Sequence, residues 1–108
     1  MSRKITEESV AAFYNRAKFN KSNMSVEIQD NGYPVLRLHG NTIAGMDHMG
    51  VWITDAGWPT RTTFERLNGF DDVRVNTKKG QTYLNGEEWV GSKTYIETTE
   101  IFDLSVAY

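Results

Sequence analysis

The sequence predicts an α+β domain in which two short helices pack on mostly antiparallel β hairpins. Two stretches, near residues 6–18 and 62–68, repeat apolar residues at helical spacing. The remaining apolar residues alternate with polar ones in short runs, as half-buried strands do. Asn31-Gly32, His39-Gly40, Lys79-Gly80 and Asn85-Gly86 separate those runs, and Gly-containing pairs close tight hairpins.

The first helix is expected to be capped by Thr6, with Glu7 and Glu8 in the dipole-favoured first turn. Ile5 and Val10 are placed to form a hydrophobic staple. Val10, Phe13, Tyr14 and Ala17 share one face, and the helix is expected to end near Lys18. Strands follow at Val26–Ile28, Val35–Leu38, Thr42–Met46 and Val51–Thr54, with Trp52 facing away from Val51 and Ile53.

Ala56-Gly57-Trp58-Pro59 interrupts the strands. Thr62 and Glu65 then read as a capping box opening a second helix, with Gly69 just past its end. Val73 and Val75 resume the strands, and hairpins return through Tyr83-Leu84 and Glu88-Trp89. Alternation of Phe102, Leu104, Val106 and Tyr108 predicts a final edge strand.

At 108 residues the chain is read as one domain, 1–108. Residues 5–46 and 60–92 read as candidate repeats of an α-β-β-β unit, with 93–108 as a C-terminal strand. Leu38-His39-Gly40 and Leu84-Asn85-Gly86 stand at matching places in the two halves. The competing reading is that any helix followed by tight hairpins looks alike. A true duplication predicts pseudo-twofold packing of two helices on one sheet or a pair of sheets.

The chain has no Cys, which excludes disulfides, thiolate metal sites and thiol nucleophiles. The reducing cytosol is the simpler inference for so small a domain without staples. The opening MSRKITEES lacks the apolar run of a secretory signal, and no stretch is long and apolar enough to span a bilayer. A net charge of −2 argues against whole-molecule attraction to nucleic acid.

No catalytic constellation, metal cluster or cofactor motif is read from the residues. Asp47-His48 is the one acid–imidazole neighbour pair, and nothing at an informative spacing completes a triad or zinc site with it. His39 and His48 both read as exposed turn residues. The segment from Trp52 to Arg66 is the most distinctive. Trp58, Arg61 and Arg66 beside a helix start would suit an anion, or an aromatic anchor for a protein partner. Against this, Trp is buried on average, so Trp58 is expected to pack on the core and Arg61 and Arg66 to be solvated. Trp89 is expected in the core, whereas Tyr83 is a candidate contact on the opposite face from Leu84.

Three strings stand out together. They are Leu36-x-Leu38-His39-Gly40-Asn41-x-Ile43-Ala44, Gly57-Trp58-Pro59-x-x-Thr62-Thr63-x-Glu65-Arg66-Leu67-Asn68 and Tyr83-Leu84-Asn85-Gly86-x-Glu88-Trp89. Over about residues 3–92 the chain resembles a family of small, uncharacterised proteins of tailed bacteriophages and prophages. The resemblance implies expression in the cytoplasm of an infected bacterium, and no catalytic residue comes with it.

The function expected is that of a non-enzymatic phage accessory protein with a host-takeover or counter-defence role. It would bind a host or phage protein through Trp52, Trp58, Arg61, Arg66 or Tyr83, with a β edge open to homo-oligomer formation. The alternative is a single-stranded nucleic-acid binder using Tyr83, Trp89, Lys78 and Lys79. A third reading is a small enzyme using His48 with Asp47. No cofactor, metal or membrane partner is expected.

Overall fold

Helix α1 spans Ser2–Tyr14 in a computed structural model that describes residues 2–96. The protein is α+β, as expected. The helix starts four residues before the expected Thr6 cap. Thr6 lies within it, buried, because its hydroxyl accepts a hydrogen bond from Arg66, 60 residues away. Ile5, Val10 and Phe13 face the core as their spacing requires. The helix also stops short of Lys18. Arg16 N–H donates to Phe13 C=O and Ala17 N–H to Ala12 C=O, with Arg16 left-handed at φ 54°. These paired bonds are a Schellman closure formed without its usual glycine, so the sequence carried no stop signal.

Five strands follow as an antiparallel meander: β1 Phe19–Lys21, β2 Met24–Ile28, β3 Pro34–Leu38, β4 Asn41–Asp47 and β5 Gly50–Ile53. Facing register aligns Val26, Leu36, Ala44 and Ile53 in one row, all fully buried. Helix α1 packs on β2 and β3. A bulge between Leu36 and Arg37 leaves Ile43 without a partner on β3, so Ile43 and Ala44 are buried in succession. The freed Ile43 C=O accepts from Thr54 N–H at 2.9 Å.

Helix α2, Arg61–Leu67, is capped by Thr60 rather than Thr62. The Thr60 hydroxyl accepts the Thr63 N–H at 3.2 Å. The Thr62–Glu65 box is therefore corrected by two residues. Asn68 ends the helix and clamps the chain beyond it, accepting from Val75 N–H at 2.6 Å and donating to Val75 C=O at 3.0 Å. Gly69 is not left-handed, contrary to expectation. Its lack of a side chain is required by proximity, since a Cβ there would lie 2.4 Å from Thr6 Cγ2. Phe70 packs edge-on against Phe13 and Tyr14, joining the two helical segments.

Strands β6 Val75–Lys78, β7 Gln81–Leu84 and β8 Glu87–Glu88 form a separate three-stranded antiparallel sheet. Its turns place Lys79-Gly80 and Asn85-Gly86 at positive φ, as does the His39-Gly40 turn between β3 and β4. These match the hairpin signals of the sequence. Strand β9, Thr94–Ile96, pairs along β5 and completes a six-stranded sheet of order β1-β2-β3-β4-β5-β9. It falls within residues 93–108, the stretch read from the sequence as a C-terminal strand. The expected strand at 102–108 lies outside the described residues.

Helix α1 is thus followed by the five strands β1–β5 and α2 by the three strands β6–β8, in two separate sheets. The first meander grows to six strands, while the second remains at three. One hydrophobic cluster joins them, running from Ile5, Val10 and Phe13 through Leu36 and Ile53 to Phe70, Val75 and Trp89.

Candidate functional site

The chain leaving β5 is wound into a tight connection by bonds at nearly every residue. Thr54 Oγ1 donates to Gly91 C=O at 2.6 Å, and Asp55 N–H donates to the same oxygen at 3.0 Å. Asp55 Oδ1 accepts from Gly57 N–H at 2.8 Å, and Trp58 N–H donates to Asp55 C=O at 2.8 Å. Ala56 and Gly57 are both left-handed, at φ 57° and 81°. This Asx-turn projects Trp58 outward with 58% of its surface exposed.

Trp58 forms one wall of a groove of about 480 Å³. Leu38 and Ile43 contribute its apolar surface, His39 comes from the β3–β4 turn and Asn41 from the start of β4, and Thr60, Thr62 and Thr63 come from the start of α2. Asp55, at 8% exposure, also lines it. The bulge at β4 matters here, because it is what buries Ile43 at this place. Asp55 is the one formally charged residue among those lining the groove at neutral pH, counting His as neutral. A carboxylate there opposes an anion, and the Thr63 N–H is already taken by Thr60. The anion reading of this segment is therefore set aside.

Of the five candidate contact residues, Trp58 alone lines the groove. Its expected packing on the core is corrected: the Asx-turn faces it to solvent. Arg66 is corrected the other way, being 4% exposed. It donates from Nη1 to Thr6 Oγ1 at 2.9 Å and to Glu65 Oε1 at 3.3 Å, and from Nη2 to Asn23 Oδ1 at 3.2 Å. It ties α2 to α1 and to the β1–β2 turn, so it is a structural residue. Arg61 is exposed as the first residue of α2. Trp52 and Tyr83 lie elsewhere, on β5 and β7. His39, Asn41 and Asp55 were not singled out as contacts. Asp55 carried one usable signal, an Asp two residues before Gly in a strand-breaking segment, which favours an Asx-turn.

The sequence model of the family described as Kyanoviridae Gp96 protein matches residues 2–102. The chain belongs to the Kyanoviridae Gp96 family. It is thus a phage protein, as the resemblance implied. No curated protein and no solved structure matches it.

In this Gp96-family chain the outer face of the large sheet carries a second arrangement. Gly45, Trp52 and Tyr95 stand in one row across β4, β5 and β9. The Trp52 indole occupies the space a side chain at Gly45 would need, since a Cβ there would lie 2.2 Å from Cζ2. Lys93 Nζ sits 4.7 Å from the Trp52 ring centroid and 5.6 Å from that of Tyr95. The Tyr95 hydroxyl donates to Asp47 Oδ2, while Asp47 Oδ1 accepts from Met49 N–H at 2.8 Å. Both carboxylate oxygens are therefore engaged by groups other than His48, which is exposed in the β4–β5 turn. This arrangement speaks against an Asp47–His48 acid–base pair.

The Tyr95 hydrogen bond, with help from the Met49 amide, holds the Asp47 carboxyl below the usual carboxylate range and raises the Tyr95 phenol. A lowered Asp pKa adds stability above the unfolded pKa and loses it as pH falls through the folded one. A raised Tyr pKa adds stability below about pH 10 that is lost on further rise. Tyr95→Phe is therefore expected to destabilise slightly at pH 7. Urea unfolding should show the gap between wild type and variant closing as pH falls below the ordinary Asp value of about 3.9. A gap unchanged at low pH would refute the coupling.

The second sheet does not favour nucleic acid. Trp89 is 6% exposed, with its Nε1 donating to Thr94 Oγ1 at 2.9 Å, so its ring cannot stack on a base. Tyr83 stands opposite Glu88, which places a carboxylate beside the remaining aromatic. Among the described residues no group of three or more His, Cys, Asp or Glu is placed to hold a metal ion, and no helix is long and apolar enough to cross a membrane.

Proposed function

We propose that this phage protein acts without catalysis, by binding a host or phage protein through the Trp58 groove, in a host-takeover or counter-defence role in the bacterial cytoplasm. The observation that carries the reading is Trp58 itself, 58% exposed beside an apolar groove on a rigid turn. Exposing a large aromatic forgoes burial worth roughly 1.5–3 kcal/mol in a domain with little stability to spare. An aromatic held in place beside a pocket is the usual form of a binding hot spot. Trp58 forms no side-chain hydrogen bond among the described residues, so its removal should leave the fold intact.

Trp58→Ala is expected to change unfolding stability by no more than about 0.5 kcal/mol. The same change should weaken partner capture tenfold or more, a loss of about 1.4 kcal/mol or greater. Affinity purification from infected cells, comparing wild type with Trp58→Ala and quantifying each recovered protein, measures this. A partner recovered equally by both would end the assignment to this groove. Recovery of nucleic acid alone, with steep salt dependence, would favour the alternative.

A further inference from the structure

We infer that the Trp58 groove receives an arginine side chain of the partner, with Asp55 as its counter-charge. The inference rests on the groove being the contact surface proposed above. Asp55 is more than nine-tenths buried, and one carboxylate oxygen is held by the Gly57 N–H. Among the described residues its Oδ2 accepts no hydrogen bond, and no Lys or Arg pairs with it. No basic side chain other than His39 lines the groove. Oδ2 is not among the buried polar atoms left without a partner, so it keeps contact with solvent and is open to a cation entering the groove.

The walls around Asp55 suit a guanidinium better than an ammonium. Trp58 lines the groove with an exposed indole, and planar guanidinium groups stack on indole rings. The Asn41 amide and the Thr62 hydroxyl also line the groove and have no hydrogen-bond partner among the described residues. Together with Asp55 Oδ2 they present three acceptors to a group carrying five N–H donors. Leu38 and Ile43 supply apolar surface for the aliphatic stem.

The test titrates the intact protein with N-acetyl-arginine N-methylamide and follows the Trp58 indole N–H and the amides of residues 55–63 by NMR. The citrulline analogue, equal in shape but neutral, and the lysine analogue serve as comparisons. Saturable shifts at these positions are expected, with citrulline at least fivefold weaker and lysine weaker than arginine. Asp55→Asn keeps an oxygen for the Gly57 N–H and should bring arginine and citrulline to equal affinity. Equal binding of arginine and citrulline by wild type, no saturable shift, or shifts centred elsewhere would overturn the inference, and this comparison stands even if Asp55→Asn fails to fold. Lysine binding as tightly as arginine would overturn the guanidinium assignment. Charge-independent binding with a Trp58-dependent partner sinks only this inference. Charge-dependent binding with a Trp58-independent partner sinks the proposed function and leaves the arginine site.

Discussion

Replacing Arg66 with Ala is expected to cost about 3 kcal/mol, enough to unfold a large share of a domain this size. The residue is 4% exposed and bonds the Thr6 hydroxyl and the Asn23 amide from two different elements. Truncation removes the donor to the buried Thr6 hydroxyl and to the half-buried Asn23 amide and opens a void, and losing a hydrogen bond to a buried polar group costs about 1–3 kcal/mol. The pair with Glu65, which is 43% exposed, adds little because solvent screens it. Lost packing of the aliphatic stem supplies the rest. Arg66→Lys should recover only part of the loss, since one ammonium cannot reach both partners as the guanidinium does. Urea unfolding of the three proteins measures it. A loss under about 1 kcal/mol for Arg66→Ala would show that Arg66 does not hold the helices together.

Gly91→Ala is expected to cost about 3 kcal/mol, whereas Gly86→Ala should cost about 1. The two glycines have nearly the same backbone, φ 88° and 89°. Any side chain at such a φ costs about 1 kcal/mol. The surroundings differ. Around Gly86 there is nothing within 4 Å of an added Cβ. At Gly91 the same Cβ would lie 2.0 Å from Asp55 Oδ2 and 2.3 Å from Cγ. That carboxylate is fixed by Gly57, so relief requires breaking the turn or pushing Asp55 into the groove, an overpacking cost of about 2 kcal/mol. Thermal unfolding of both variants separates the terms, and equal losses would refute the close Gly91–Asp55 contact. Because Asp55 lines the groove, Gly91→Ala should also disturb partner binding, while Gly86→Ala should leave it unchanged.

The groove was legible only in part. Trp58 was marked by its Gly-Trp-Pro setting, and its neighbours Thr60 to Thr63 by the start of a helix. Its other wall was not marked, because His39 and Asn41 are brought to Trp58 by sheet pairing and a bulge that no local pattern encodes. The general tendency of Trp to be buried pointed the wrong way for Trp58. It pointed the right way for Trp89, whose indole found Thr94.

What the sequence alone determined is whatever acts over a few neighbouring residues. Alternation and Gly-containing turns set the antiparallel hairpins, because positive φ and strand period are local properties. The absence of Cys settled what chemistry was unavailable in the same direct way. Tertiary structure decided the rest. Thr6 stopped being a cap because Arg66 reaches it across 60 residues of chain, and Gly91 became indispensable because the carboxylate of Asp55, far earlier in the chain, stands where a side chain would go. Strand β9 exists because β5 presented an edge to it. A side chain's exposure depends on what the remote chain places over it, and a window of adjacent residues does not contain that information.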